Sequence, residues 1–454
     1  MKVLKFGGTS VGTVESLLNV KSIVEGIDAP AVVVVSALGG LTDKLIATAN
    51  MAAEADPAYR DEMEAISSRH FHIISNVVPE DKRPEVIKEV SLLLNELKRI
   101  YDGLSLIKDL PAKTLDVIVS FGERMSSVIV AAMIDGAERR DSLNFIKTEK
   151  WFDKNIADQK LTTQLVIEEF QTPFNKAIVP GFIATDKDSG EITTLGRGGS
   201  DFTGALIAAA MEAEVLEIWT DVDGFMTADP RIIPEAKVVP HMTFIESMEL
   251  CTFGAKVIYP PTIYPVFHKN IPIKILNTFN PTAPGTLVTD TRLESDFPMK
   301  GVSSLRNTTI FSLRATPGSD IAEVQTRTFN AVAKQGIKLF IVTIVPERNN
   351  EFSFMVSDND AEIAMDLIKS EFAPELSKRS IETPLMRNSL TTIAVVGEDM
   401  KNKKRLAERI RHSLHRDGIK VEATSTGASD TTITFIVSPE RTERALQIIH
   451  SLVF

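Results

Sequence analysis

Cysteine is all but missing from this 454-residue chain: Cys251 stands alone, so neither an intramolecular disulfide nor a cysteine-cluster metal site can form. Long apolar runs are missing too, none reaching the ~18 residues that cross a bilayer. Positive charge is in deficit, with 50 Lys and Arg against 61 Asp and Glu and a net charge of −11. A chain of that sign lacks the long-range field that draws in nucleic acid or anionic lipid, and neither is expected as a partner. The opening Met1-Lys2-Val3-Leu4-Lys5-Phe6-Gly7-Gly8 is too short in its apolar part to be a signal peptide, and with the lone cysteine it predicts a cytoplasmic location. What is present is ordinary for a globular protein, 43% hydrophobic and 24% charged residues, which excludes disordered, collagen-like and low-complexity classes. At ~150 residues per domain, the length accommodates about three domains.

The first part of the chain alternates β-rich and helical patterns. Lys2–Phe6 predicts a strand stopped by Gly7-Gly8, and after Thr9-Ser10 the residues Val14, Leu17, Leu18, Ile23 and Val24 recur at roughly helical spacing. Ala31–Val35 is apolar at every position, the pattern of a strand buried on both faces in a parallel sheet. Residues 41 to 110 read as largely helical. Further strands are expected at Ala177–Thr185, Val215–Thr220 and Ile271–Leu276, with a helix over Phe202–Glu214. For residues 1–292 this predicts an α/β fold, a three-layer αβα sandwich with a mostly parallel sheet.

Beyond Asn280-Pro281, Ala283-Pro284-Gly285 and a connector at Asp296-Phe297-Pro298, the pattern changes and the chain repeats itself. Residues 303–385 and 386–454 each read β-α-β-β-α, which predicts two tandem α+β domains. In the first, a turn is expected at Pro346–Asn350, and Asp360 is placed to cap a helix over Ala361–Phe372. Such a pair suits small-molecule sensing, or dimerisation with no ligand.

Several turns could carry chemistry. Lys5 ends the first strand, where open α/β sheets bind ligands, and Gly7-Gly8 either lets the backbone approach a ligand or is a tight turn. The turn Ser36-Ala37-Leu38-Gly39-Gly40-Leu41-Thr42 has the same grammar but is no Walker motif, because no Lys-Ser/Thr follows the glycines. In Thr194-Leu195-Gly196-Arg197-Gly198-Gly199-Ser200-Asp201, an arginine among glycines is free to meet a carboxylate bidentately, while Ser200 and Asp201 are either site residues or helix N-caps. Trp219-Thr220-Asp221-Val222-Asp223-Gly224 offers acids at a strand end that can organise cations. Glu123, inside the apolar stretch Leu115–Ala132, is either on an exposed stripe or paired with a cation. No G-x-G-x-x-G follows the first strand, which excludes a Rossmann dehydrogenase.

Taken in order, Lys5-Phe6-Gly7-Gly8-Thr9-Ser10, the Ser36 to Thr42 turn, Thr194 to Asp201, Trp219-Thr220-Asp221 and Phe253-Gly254-Ala255-Lys256-Val257 resemble the motifs of aspartate kinases, the monofunctional kind with two C-terminal ACT modules. The resemblance covers the whole chain and implies an amino acid kinase fold for residues 1–292, with ACT-like domains at 303–385 and 386–454. It leaves no room for the homoserine dehydrogenase half of bifunctional relatives. The implied reaction is phosphoryl transfer from ATP, with Mg²⁺, to the β-carboxylate of L-aspartate, the first step toward lysine, threonine and methionine. By matching positions, Lys5, Gly7 and Gly8 would hold the transferring phosphoryl group. Thr220, Asp221, Arg231, Lys256 and Val257 would serve ATP, with Asp221 orienting the lysines. Ser36, Thr42, Glu123, Arg197 and Ser200 would bind aspartate, Glu123 taking the ammonium and Arg197 a carboxylate, with Asp201 in the same motif. No protein ligand for a metal is implied.

The resemblance also implies a homodimer or a dimer of dimers and an amino-acid effector, lysine or threonine, at the ACT modules. Three departures stand out: Met226 where many relatives have tyrosine beside the adenine, Ser319-Asp320-Ile321 and Phe340 in the first module, and the sequence around Thr432 in the second. No effector residues are therefore carried over. The alternatives are a catalytically silent amino-acid sensor, or another amino acid kinase acting on acetylglutamate, glutamate or uridylate.

Overall fold

A computed structural model describes residues 1–151, 154–292, 298–316, 319–345, 350–426 and 430–454. Two compact units divide the chain. One comprises Met1–Phe225, Val238–Ser247 and Lys256–Glu294; the other comprises Met226–Lys237, Met248–Ala255 and Ser295–Phe454. Two segments inside the expected 1–292 domain thus group with the C-terminal unit.

In the first unit the strands are β1 (Lys2–Phe6), β2 (Ala31–Val35), β3 (Ala137–Arg139), β4 (Lys147–Trp151), β5 (Lys154–Ala157), β6 (Lys176–Pro180), β7 (Ile183–Asp186), β8 (Ile192–Thr194), β9 (Val215–Thr220), β10 (His241–Thr243), β11 (Ile273–Asn277) and β12 (Thr286–Thr289). Eight of them form a sheet in the order β10-β12-β11-β9-β1-β2-β6-β3, parallel throughout except where β12 pairs with β11. The helices are α1 (Val14–Glu25), α2 (Leu41–Ala53), α3 (Tyr59–Val77), α4 (Arg83–Ile107), α5 (Ala112–Met133), α6 (Gln159–Glu169), α7 (Gly199–Ala210), α8 (Phe244–Thr252), which runs across the unit boundary, and α9 (Tyr264–His268).

Because side chains alternate along a strand, Leu4 and Phe6 face one way and Lys5 the other. Leu4, Phe6, Val33, Val35 and Ile178 share a core with Leu17, Leu45, Phe121 and Ile129 from α1, α2 and α5. On the opposite face α7 packs on β1, so close that a Cβ at Gly204 would lie 3.5 Å from the Lys5 Cβ. The expected three-layer sandwich is therefore present.

Two expectations change in detail. Ala177–Thr185 is not one strand: β6 ends at Pro180, the chain turns at Gly181-Phe182, and β7 enters a separate sheet ordered β5-β4-β7-β8. Phe182 takes a left-handed backbone (φ 68°) at that corner. The first helix starts at Val14 because Thr13 and Ser16 exchange hydrogen bonds in a capping box.

The second unit holds β13 (Met299–Arg314), α10 (Ile321–Lys334), β14 (Val342–Val345), β15 (Glu351–Ser357), α11 (Asp358–Glu371), α12 (Ala373–Ser377), β16 (Leu385–Gly397), α13 (Lys404–Arg416), β17 (Ala423–Thr426), β18 (Thr432–Val437) and α14 (Thr442–Val453). The repeat is real: both copies run β-α-β-β-α, and their strands join in one sheet ordered β14-β15-β13-β16-β18-β17. Each copy has a main core, one around Phe311, Phe352 and Phe354, the other around Ile393, Phe435 and Ile449, and a small cluster of Met355, Leu390 and Ile436 draws on both. Ala228 and Ile233, from the segment Met226–Lys237, join the latter core. Asp360 does not cap the helix; Ser357 is its N-cap residue, and Asp360 accepts a hydrogen bond from the Ser357 hydroxyl at 2.8 Å. The expected turn at 346–349, the connector residues Asp296 and Phe297, and Gly427-Ala428-Ser429 lie outside the described residues. Among the described residues no helix is long and apolar enough to cross a membrane.

Gly254 has φ 110°, and a Cβ there would lie 2.0 Å from the Ser304 carbonyl oxygen on β13. Gly254→Ala should destabilise the protein by about 3 kcal/mol or more, since both backbone conformation and contact reject a side chain. Urea unfolding followed by circular dichroism measures this; an unchanged midpoint would contradict the geometry.

Candidate functional site

The chain lays β2, β3 and β6 on one side of β1 and β9, β11 and β12 on the other, so strand order reverses at β1. In open α/β sheets, ligands bind beyond the carboxyl ends of the strands at such a reversal. Gathered at that edge are Gly7-Gly8 after β1, the Ser36–Gly40 turn after β2, Gly181-Phe182 after β6 and Thr220-Asp221 after β9.

Lys5 points from β1 toward α7, and its ammonium meets Asp201 at 2.7 Å, with the two side chains 12% and 11% exposed. Asp201 sits in the first turn of α7, where the helix dipole favours a negative charge. Asp221, expected to orient the lysines, is exposed and accepts a hydrogen bond from Thr220. The start of α7 answers the capping question for Ser200 and Asp201. The N-cap of α7 is Gly198 at φ 71°, with no side-chain cap bond. Likewise Gly40, at φ 76°, precedes α2 with no side-chain cap. Two helices thus begin at this edge with N–H groups unclaimed by a capping side chain, a favourable setting for anions. Their first turns carry Thr42 and Ser200, the first half-buried and the second buried.

The glycines of the first two turns serve mainly each other. A Cβ at Gly12 or Gly39 would lie 3.0 Å from the Gly8 carbonyl oxygen, so the turns after β1 and β2 pack backbone against backbone. Gly7 donates its N–H to the Trp219 carbonyl at 3.1 Å, so that amide ties β1 to β9 instead of facing a phosphoryl group. Ser36 donates its N–H to the Phe6 carbonyl. Gly122 lets α5 close on the same region, where a Cβ would come within 2.7 Å of the Ala37 Cβ.

One residue further along α5, Glu123 is 4% exposed, which removes the exposed-stripe alternative. Burial pushes its carboxyl up to about 8, opposed by a backbone hydrogen bond at Ala37 and by the Lys5 charge. Its Oε2 is buried without a hydrogen-bond partner. A buried acid of this kind is mostly protonated near neutrality and ionises when a cation joins it.

Arg197 is exposed in the loop between β8 and α7, flanked by Gly196 (φ 72°) and Gly198 (φ 71°). The backbone itself demands those glycines; a Cβ on Gly198 would also strike the Tyr259 side chain at 2.6 Å. One carboxylate oxygen of Asp223 accepts from the side-chain amides of Asn277 and Asn280, which ties the turn after β9 to the end of β11. Lys256 is exposed and Val257 half-buried in an irregular segment of the first unit. Arg231, expected to serve the nucleotide, belongs to the second unit and forms a bidentate pair with Asp229 at 2.9 and 2.7 Å. Met226 falls in the same segment. The Lys5–Asp201 pair itself escaped sequence reasoning; an acid three residues after Gly198, at the third helical position, was the available signal.

Comparison with known proteins bears on the family and the fold. The model for the amino acid kinase family matches residues 1–277, and an ACT domain model matches 393–452. Aspartokinase 1, chloroplastic, of Arabidopsis thaliana is 30% identical over all of this chain and 80% of its own length. The bifunctional aspartokinase/homoserine dehydrogenase of Haemophilus influenzae is 29% identical over all of this chain, which spans 56% of that relative. Among solved structures, E. coli aspartokinase III in complex with aspartate and ADP superposes with a TM-score of 0.87 at 27% identity, covering both chains in full. The chain belongs to the amino acid kinase family and, within it, to the aspartokinases.

Proposed function

We propose that this chain is an aspartate kinase, transferring the γ-phosphoryl group of ATP to the β-carboxylate of L-aspartate to give 4-phospho-L-aspartate and ADP. The observation that carries the reading is the Lys5 ammonium, held by Asp201 at the carboxyl edge of the sheet beside two helix N-termini that lack capping side chains. A β-carboxylate is ionised at neutral pH, since its pKa lies near ~4, so no base has to remove a proton. A carboxylate oxygen forms a bond to the γ-phosphorus as the bridging oxygen departs on ADP. The difficulty is to bring two anions together and to hold charge on a loose transition state. Lys5 and the helix N–H groups supply fixed positive potential for that purpose. Gly8 lies beside them, and Thr220, Asp221, Lys256 and Val257 are the residues proposed for the nucleotide. Mg²⁺ would neutralise triphosphate oxygens.

Ser36, Thr42, Glu123, Arg197 and Ser200 are the proposed aspartate contacts. ADP release measured with L-aspartate, L-glutamate, acetylglutamate and UMP tests the assignment; turnover with aspartate alone is expected, and none with any of the four would leave a silent sensor. Lys5→Met should lower kcat at least ~10²-fold with circular dichroism unchanged, the scale of losing one preorganised donor. Arg197→Ala should instead raise the aspartate KM. Normal turnover in the first variant, or a normal KM in the second, removes that residue from its role.

Glu123 makes the reaction pH-dependent. Between its ordinary 4.5 and about 8, the folded free chain keeps a proton that the unfolded chain has released, so stability declines as pH rises through that window. Aspartate binding draws the carboxyl into its ionised form, so kcat/KM for aspartate should fall as pH drops below about 8. Glu123→Gln should flatten both profiles; a pH-independent kcat/KM in the unaltered chain would rule out the ammonium-binding role.

The ACT modules are proposed to bind lysine or threonine, and the chain to form at least a dimer through them. In this structure Asp320 caps α10 and Ser319 donates to the Ser380 carbonyl, so these positions are occupied with holding the fold. Titrating L-lysine and L-threonine into the kinase assay, with mass followed by light scattering, should show inhibition by one of them on a dimer or larger. No response to either leaves the modules structural.

A further inference from the structure

On the reading above, the groups that hold the two ends of aspartate stand on different elements, Glu123 on α5 and Arg197 in the loop after β8. Nothing in either residue alone fixes their separation. We propose that Asp116 is the positioning residue that clamps the Arg197-bearing strand to the Glu123-bearing helix. Asp116 lies on α5 seven residues before Glu123, two turns along the same face. Its half-buried carboxylate accepts a hydrogen bond from the Thr194 hydroxyl at 2.8 Å and from the Asn155 side-chain amide at 3.3 Å.

Thr194 is the last residue of β8 and stands three residues before Arg197; Asn155 is on β5. These are the first and last strands of the four-stranded sheet, so one carboxylate fastens both of its edges to α5. The base of the Arg197 loop is held again at Leu195, whose N–H donates to the Phe182 carbonyl at 2.9 Å, and Gly199 donates to Gly196 at 3.0 Å. Arg197 itself sits between two glycines in left-handed conformation, a loop with little stiffness of its own. Its position relative to Glu123 is therefore set by what grips the base of the loop, and of the two holds, Thr194 to Asp116 and Leu195 to Phe182, the first ties it directly to α5. Burial of Asp116 raises its carboxyl above the ordinary range and removes competing water, which makes its hydrogen bonds to Thr194 and Asn155 more directional in effect.

The experiment uses the full chain, with two substitutions. Asp116→Ala should raise the aspartate KM about tenfold or more while kcat and the ATP KM change by less than about threefold, because misplacing a substrate clamp by a fraction of a bond length is costly and the phosphoryl-transfer groups are untouched. Asp116→Asn should restore the KM to within about threefold: its carbonyl still accepts from Thr194, and Asn155, whose Oδ1 has no hydrogen-bond partner, can turn its amide to accept from the new NH₂. Hydrogen exchange without substrate reads the clamp directly, with Thr194 and Leu195 amides exchanging faster in Asp116→Ala and not in Asp116→Asn. A merely structural role would lower kcat and stability together and leave the aspartate KM alone. An Asp116→Ala chain with unaltered KM, or with unaltered exchange at 194 and 195, overturns the inference. An unaltered chain that turns over no aspartate fails the kinase reading instead, so the two failures are told apart.

Discussion

An ammonium nearly closed off from water at the end of a buried strand is costly unless something offsets it, and Asp201 does so at 2.7 Å from Lys5. Much of the surrounding architecture follows from making that meeting possible. The helix bearing Asp201 must cross β1 closely, which Gly204 permits, and must begin where its third residue reaches the ammonium, which Gly198 sets. The contact is an ion pair, and the Asp201 oxygen that faces the ammonium has no hydrogen-bond partner, so the ammonium's N–H donors are not spent on it. The pair is formally neutral, so the attraction for a polyanion comes from those donors and from the helix N-termini beside them. Asp201 thus balances the charge and holds the lysine at the sheet edge.

The glycine-rich turns show where a local reading goes astray. Glycine after a strand suggests backbone open to a phosphate, yet Gly8, Gly12 and Gly39 allow one turn to press on another. Both uses require the missing Cβ, and sequence does not separate them because the difference lies in what is opposite. Asp223 makes the same point. It looks like its neighbour Asp221, but two asparagines from a distant turn take its carboxylate. Strand and helix patterns, by contrast, were legible because their periodicity is local: Val215–Thr220 has the expected bounds, and the doubled β-α-β-β-α order is found in full. The break at Gly181-Phe182 had a signal in the turn dipeptide Pro180-Gly181, which the run of apolar residues on either side outweighed in the reading of one strand.

Burial of Glu123 was equally undecidable from sequence, because an apolar helix with one acid can face water or core. The structure decides for the core, and the consequence is chemical. A carboxyl raised to about 8 is a poor resident anion near neutrality but a good host for an ammonium group, which restores the charge that burial suppressed. The two buried charges at this edge are thus handled differently: Lys5 is paired by the chain itself, and Glu123 is left with an oxygen that has no hydrogen-bond partner.

The C-terminal repeat carries a constraint of its own. β13 and β16, the corresponding first strands of the two copies, are each other's neighbours in a single sheet, so neither module has a complete set of backbone partners without the other. Their pairing runs from Met299 with Gly397 to Ser312 with Leu385, broken by irregularities between Leu305 and Ile310. Each half has a main core of its own, and a smaller cluster of Met355, Leu390 and Ile436 joins the two across the shared sheet. The shared ladder and that cluster tie β13 to β16, so the backbone and the side chains of the two copies meet along one seam.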